Sequence, residues 1–228
     1  MKNLLSILLL SAVLIGCSEE RVLYDELTNK GTEESPLVYF EGALFNGVGF
    51  RVHSNGQLEQ EANYKDGEFD GLVKEWYENG QLRSEINFKD GKYDGLSKTW
   101  HPNGQLKWEA TLKDGKIDGL LKCYYESGQL QSEDDFKDNV KDGLTKSWYP
   151  NGQLESNVNY KDGEFDGLGK TWHPNGQLQS EANLKDGVKD GLGKRWYENG
   201  QLEFEANYKN GKIDGLSKEW DENGQRTN

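Results

Sequence analysis

The tripeptide Asn-Gly-Gln begins at Asn55, Asn79, Asn103, Asn151, Asn175, Asn199 and Asn223. Every interval is 24 residues or a multiple of it, and Ser127 stands in the one remaining place. Asp-Gly-Leu begins at Asp70, Asp94, Asp118, Asp142, Asp166, Asp190 and Asp214 in the same steps, with no insertion anywhere. A fixed period of this size marks a repeat array, in which each unit is one supersecondary element that buries its apolar side only by stacking on its neighbours.

Residues 70–93 serve as the type unit. Residues 71–77 and 82–88 alternate apolar with polar and are rich in β-formers, and glycine recurs too often for long helices. The unit is therefore expected to be a β-hairpin around Asn79-Gly80. Three units place proline just before the asparagine, at Pro102, Pro150 and Pro174. In a two-residue hairpin that position donates an N–H across the ladder, which proline lacks. In a three-residue loop it is the second residue of a type I turn, where a fixed φ is favourable, and glycine takes the left-handed bulge position. The three-residue loop is thus preferred.

With that loop, Trp76 is expected opposite Leu82, Lys74 opposite Ser84 and Leu72 opposite Ile86, so that all recurrent apolar positions share one face. The other face then carries Glu75 beside Arg83, Arg195 beside Glu203, and the acids Glu61, Glu85, Glu109, Glu133, Glu181 and Glu205. The turns at Asp-Gly link hairpin to hairpin. The expected fold is all-β: an elongated, single-layer antiparallel meander of hairpin repeats. At about 4.8 Å per strand it extends roughly 67 Å over seven units.

The ends differ from the array. Lys2 precedes an apolar run, Leu4 to Ile15, that is too short to span a bilayer comfortably. The layout is that of a secretory signal. The run ends in Leu14-Ile15-Gly16-Cys17, which resembles a bacterial lipobox and implies cleavage before Cys17 and lipidation of its thiol. The acidic Ser18-Glu19-Glu20 resembles surface-export signals of some Gram-negative lipoproteins. The expected organisation is a signal peptide at 1–16, a lipidated cysteine and tether at 17–35, a degenerate cap at 36–45 and the array at 46–228. In the cap, Val38 and Phe40 are read in register with Ala62 and Tyr64. At the far end Gly215 to Asp221 is expected as an edge strand. The expected location is the bacterial cell envelope, at the outer membrane or cell surface.

Residues 17–228 carry 26 Lys and Arg against 40 Asp and Glu, a net charge of −14. This balance argues against nucleic acid and anionic lipid headgroups as partners. Cys123 is then the sole remaining cysteine, which excludes an intrachain disulfide, and no histidine or second cysteine suggests a nucleophile. Leu, Ile, Val and Phe are scarce, as in disordered chains, but aromatic residues at fixed places in each unit supply apolar surface.

Catalytic patterns are not found. Gly-x-Ser-x-Gly, His-Glu-x-x-His and phosphate-loop motifs do not occur. His53, His101 and His173 share one slot that is tyrosine at Tyr77, Tyr125, Tyr149 and Tyr197, two and three units apart, so they cannot meet at one metal. The pairs Asp66/Asp70, Asp90/Asp94, Asp114/Asp118, Asp162/Asp166 and Asp186/Asp190 offer oxygen to Ca²⁺, but Asp-Gly is ordinary turn chemistry and lysines intervene. No metal, cofactor or enzymatic activity is expected. A lysine row, Lys74, Lys98, Lys122, Lys146, Lys170, Lys194 and Lys218, falls between leucine and tryptophan. Its stems are expected to pack on tryptophan rings, the alternative being a binding stripe.

The sequences Trp76 to Leu82, Trp196 to Leu202, Tyr64 to Leu72 and Tyr160 to Leu168 resemble MORN repeats, in the variant found in bacterial proteins of the YwqK antitoxin-like family. The resemblance covers 46–228. It implies β-hairpin repeats in protein-binding or scaffold roles, with an antitoxin or immunity role in some members. Export by a lipobox departs from an antitoxin to a cytoplasmic toxin. An exposed apolar face marks a protein partner or self-association. The contacts expected there are Trp76, Trp100, Tyr124, Trp148, Trp172, Trp196 and Trp220. The alternative is a glycan-binding envelope module, since aromatic-glycine hairpin repeats also occur in cell-wall-binding proteins. The Gly-Trp and Trp-Tyr-Tyr patterns of those modules are missing.

Overall fold

The computed structural model describes residues 20–31 and 37–228. Cys17 and the apolar run before it lie outside the described residues.

Most of the described chain is one long open sheet of successive hairpins, antiparallel except at its first strand. The first strands are β1 (Arg21–Leu23), β2 (Thr28–Asn29), β3 (Val38–Phe40), β4 (Ala43–Leu44), β5 (Gly47–Val52), β6 (Leu58–Lys65), β7 (Glu68–Trp76) and β8 (Leu82–Lys89). The pattern of β6 to β8 then recurs to the C-terminus.

The Asn-Gly loop has three residues. The Tyr77 carbonyl accepts from Gly80 N–H at 2.8 Å, and Tyr77 N–H donates to the Gln81 carbonyl at 2.8 Å. Gly80 has φ +80°, the left-handed bulge position that a Cβ disfavours. Pro102 thus occupies the second turn position after His101, where no ladder bond is lost. The Asn79 carboxamide oxygen accepts from Gln81 N–H at 3.0 Å, closing the turn. The Asp-Gly turns are two-residue turns with both residues left-handed, as at Asp66 (φ 50°) and Gly67 (φ 80°), flanked by the pair Lys65–Glu68.

Beyond Trp76–Leu82 the register departs from expectation. Glu75 pairs with Ser84, Lys74 with Glu85, Val73 with Ile86 and Leu72 with Asn87. A β-bulge at Arg83–Ser84 opposite Glu75 is the cause. Both side chains reach the Glu75 carboxylate, Arg83 at 3.9 Å and Ser84 at 3.1 Å. One extra residue moves every later side chain to the opposite face. The same shift recurs between Thr99 and Trp100, Ser147 and Trp148, and Arg195 and Trp196. The apolar set is therefore divided between two faces.

The inner face carries Ala62, Tyr64, Phe69, Val73, Ile86 and Phe88. Its middle row is small and buried: Ala62, Val73, Ser97, Ala110 and Ala206. Larger side chains lean over it diagonally from the next strand. The Tyr208 ring sits 2.9 Å from where a Gly193 Cβ would be, and Leu184 Cδ1 sits 2.9 Å from that of Gly169. The outer face carries Leu72, Lys74, Trp76, Leu82, Glu85 and Asn87.

A second irregularity sets Asn63 opposite Asp70-Gly71-Leu72, between the pairs Ala62–Val73 and Tyr64–Phe69. The Asn63 amide fills the gap by donating to the Leu72 carbonyl at 2.7 Å, and Gly71 (φ +104°) makes the turn.

Residues 21–29, read from sequence as tether, form β1, a 3₁₀ turn (Tyr24–Glu26) and β2 instead. Strand β1 pairs parallel with β5, and β2, β3 and β4 make a small second sheet. Together they close one end of the inner face around Val22, Val38, Phe45, Ala62, Tyr64 and Val73. The cap is one residue out of the expected register. Tyr39–Leu44 takes the ladder place of Tyr64–Phe69, because the Glu41-Gly42 turn lies 25 residues before Asp66-Gly67. The expected C-terminal edge strand shrinks to Lys218–Glu219 plus a single bridge from Trp220 to Arg226.

Candidate interaction surface

The slots that looked chemically interesting are largely consumed by bonds between units. The tyrosine/histidine slot is one. The Tyr77 hydroxyl donates to the Trp100 carbonyl at 2.7 Å, Tyr125 to that of Trp148 at 2.7 Å, Tyr149 to that of Trp172 at 2.8 Å and Tyr197 to that of Trp220 at 2.8 Å. The ring Nε2 of His53, His101 and His173 makes the same reach to Trp76, Tyr124 and Trp196, at 2.9, 3.3 and 2.9 Å. Either ring places an N–H or O–H at that distance, which explains the interchange.

The asparagine slot forms a second line of links. Asn55, Asn79 and Asn103 donate to the carbonyls of Glu78, Pro102 and Glu126 at 2.9, 3.2 and 2.8 Å. The aspartates of Asp-Gly-Leu form a third. Asp70 Oδ2 accepts from Asp90 N–H at 3.4 Å, and Asp142 from Asp162 N–H at 3.3 Å. Among the described residues no group of three or more His, Cys, Asp or Glu side chains is placed to hold one metal ion.

The lysine row lies on the outer face with the recurrent glutamates, not apart from them. Lys74 meets Glu85 at 3.4 Å, Lys98 meets Glu109 at 3.4 Å, and Lys122 bridges Glu109 and Glu133 at 4.0 and 3.9 Å. Lys170–Glu181 and Lys194–Glu205 continue the line at 3.4 and 3.6 Å. The hydrogen bond from Lys218 holds Glu205 below the usual carboxylate range. This alternating ladder is half-exposed, so each pair contributes little stability, about 0–1 kcal/mol. Its alternation leaves the stripe with little net field.

Two apolar rows flank the ladder. On one side are the expected contact residues Trp76, Trp100, Tyr124, Trp148, Trp172, Trp196 and Trp220, each half-buried; all but Trp220, which pairs with Arg226, face a leucine such as Leu82. Tyr124 differs in donating to Glu109 at 3.1 Å, and burial, then that bond, pushes its phenol up to about 12. On the other side run the leucines of Asp-Gly-Leu. Leu96 and Leu168 are 48% exposed and Leu144 and Leu192 are 38% exposed. Alternation along one strand sets these leucines on the same face as the tryptophans, as the sequence pattern implies, although only the aromatic row was expected to make the contacts.

The inner face departs from repetition in two places. In the unit around Asp134, that acid replaces the small buried residue and Lys141 replaces the usual aromatic or aliphatic one. They pair at 2.6 Å, with Asp134 nearly covered. Further on, Gly169 and Gly193 occupy the slot held in the four preceding units by Val73, Ser97, Leu121 and Thr145. There the face opens into a groove of about 400 Å³, lined by Val158, Phe165, Leu184, Lys189, Phe204 and Tyr208 among others. Successive glycines in one slot were the available sequence signal.

No curated protein matches the chain significantly. The family model for the MORN repeat variant matches seven times, at residues 45–66, 69–90, 93–114, 117–138, 141–162, 165–186 and 189–210. Those segments follow the hairpins described above and span most of the chain, and an array of such units suits a repeat-type protein-binding or scaffold module. The chain belongs to the MORN repeat variant family.

Proposed function

We propose that this chain is a non-enzymatic, lipid-anchored repeat protein that binds a partner protein along its outer face, as a scaffold or as an immunity factor of the antitoxin-like type. The observation that carries this reading is the exposed leucine row beside the Lys–Glu ladder, repeated at a fixed spacing. Exposed leucines gathered in one row beside a row of tryptophans support an interaction site on this face. The tryptophan row on the far side of the ladder extends the same surface, and its ring edges are the second contact. Anchoring rests on Leu14-Ile15-Gly16-Cys17. Glycan stacking needs free ring faces, and the half-buried rings favour a protein partner over a sugar.

The test compares partner capture by crosslinking in envelope fractions. The double substitution Leu144→Glu with Leu168→Glu is expected to abolish capture of any discrete partner seen with the unaltered chain. Trp148→Ala with Trp172→Ala is expected to weaken it, with circular dichroism confirming an intact array. Capture that survives both pairs would overturn the reading.

A further inference from the structure

The first and last complete units share one inner-face arrangement. Gly49, Arg51, Glu59, Ala62 and Tyr64 recur as Gly193, Arg195, Glu203, Ala206 and Tyr208, six periods on. In both, the tyrosine ring lies 2.9 Å from where the glycine Cβ would be.

In the first unit the arrangement is covered by the chain itself. Leu27 Cδ1 comes within 3.1 Å of the same Gly49 position, and the Tyr24 ring stacks on Arg51 at 5.4 Å. Around Gly193 the nearest atom outside the Tyr208 ring is Ala182 Cβ at 3.8 Å, so among the described residues no side chain takes the place that Leu27 holds at 3.1 Å. The groove of about 400 Å³ lies there instead. The Tyr24 stack does have a counterpart, because Phe204 sits on Arg195 at 5.7 Å. Finally, the buried Phe45 of the first unit is replaced by Lys189. Lys189 is exposed and lies over the Tyr208 ring at 4.9 Å. In the covering segment, Asp25 and Glu26 precede Leu27.

We propose that this groove is a docking site for a short segment of a partner protein in which acidic residues precede an aliphatic one. The aliphatic side chain seats over Gly193 as Leu27 seats over Gly49, and the acids face Lys189. An aromatic two or three residues earlier is not required, since Phe204 already covers Arg195. This rests on the reading of the array as a protein-binding module but places a second contact on the opposite face from the leucine row.

The probe is a fluorescein-labelled peptide of residues 20–30, titrated into the intact chain and read by anisotropy, with amide shifts of Gly169 and Gly193 followed by NMR. Saturable binding tighter than about 1 mM is expected. Leu27→Ala in the peptide should weaken it about tenfold or more, the loss expected for one buried aliphatic side chain. Tyr24→Ala should change it less than about twofold. Lys189→Glu in the protein should weaken it about fivefold, as for loss of one complementary charge.

Absence of binding, indifference to Leu27→Ala, or shifts confined to 45–64 would overturn the proposal, the last because the peptide would merely be displacing the chain's own segment. Concentration-dependent dimerisation that the peptide blocks would assign the groove to a second copy and overturn a separate partner. If the peptide fails while Leu144→Glu with Leu168→Glu still abolishes capture, this inference falls and the outer-face reading stands.

Discussion

Ser127 occupies the one place between two successive turns of the array where the turn-to-turn clamp is missing. Elsewhere the turn asparagine donates to the next unit's turn, as Asn151 does to the Pro174 carbonyl at 2.7 Å and Asn175 to that of Glu198 at 2.7 Å. Ser127 Oγ is one bond too short for that reach. It meets only the Gln129 N–H, at 3.5 Å, and the Gln129 side-chain oxygen, at 3.4 Å. Ser127→Asn therefore adds one neutral hydrogen bond to the Pro150 carbonyl and a better-closed turn. A bond of this kind is worth about 0.5–1.5 kcal/mol net.

For a chain of this size, 1 kcal/mol moves Tm by about 2–4 °C. In a repeat array the gain sits at one interface and not in the whole. Thermal unfolding followed by circular dichroism should rise by about that amount. Hydrogen exchange should slow at Gly152 and Gln153 more than at Gly104 and Gln105. The reverse change, Asn79→Ser, should cost a similar amount. A Tm unchanged by Ser127→Asn together with a neutral Asn79→Ser would refute the clamp as a source of stability.

Lys141→Phe restores the consensus apolar residue but leaves Asp134 buried without its cation, and should cost about 3–5 kcal/mol in urea unfolding. Adding Asp134→Ala should recover most of that loss. Tyr149→Phe leaves the Trp172 carbonyl without its donor and should cost about 1 kcal/mol by the same measurement. The Tyr124 phenol, held up to about 12 against an ordinary value of 10.0, favours the folded state while it is protonated. That contribution is complete below pH 10 and is lost as pH rises through about 12. Absorbance at ~295 nm, compared with Tyr124→Phe, should show one phenolate forming late. Cys17→Ser should move the protein from the membrane fraction to the soluble fraction, and an unchanged distribution would argue against the anchor.

Much of the fold was legible in the residues. The period gave the number of units. Proline before the asparagine excluded a two-residue loop, and the observed bonds at Tyr77, Gly80 and Gln81 agree. The opposition of Trp76 and Leu82 followed from that loop and holds. The expected register breaks one residue further on, at Arg83. A bulge there depends on how strongly the sheet twists and on two side chains, Arg83 and Ser84, meeting at Glu75, neither of which a pattern of apolar spacing records. The candidate surface inherited that error. The lysine and glutamate rows were placed apart and are interleaved, and Ile86 and Phe88 were placed on the face of Trp76 and lie on the other.

Alone, then, the sequence determined the repeat, its turn chemistry, its acidity and its family, because each depends on local φ preferences or on counting. Tertiary structure decided which residues share a face, that residues 20–31 fold back to cover Gly49, and that Gly193 has no such cover. Those outcomes turn on a one-residue shift in pairing and on contacts between segments distant in the chain, and a 24-residue pattern is silent about both.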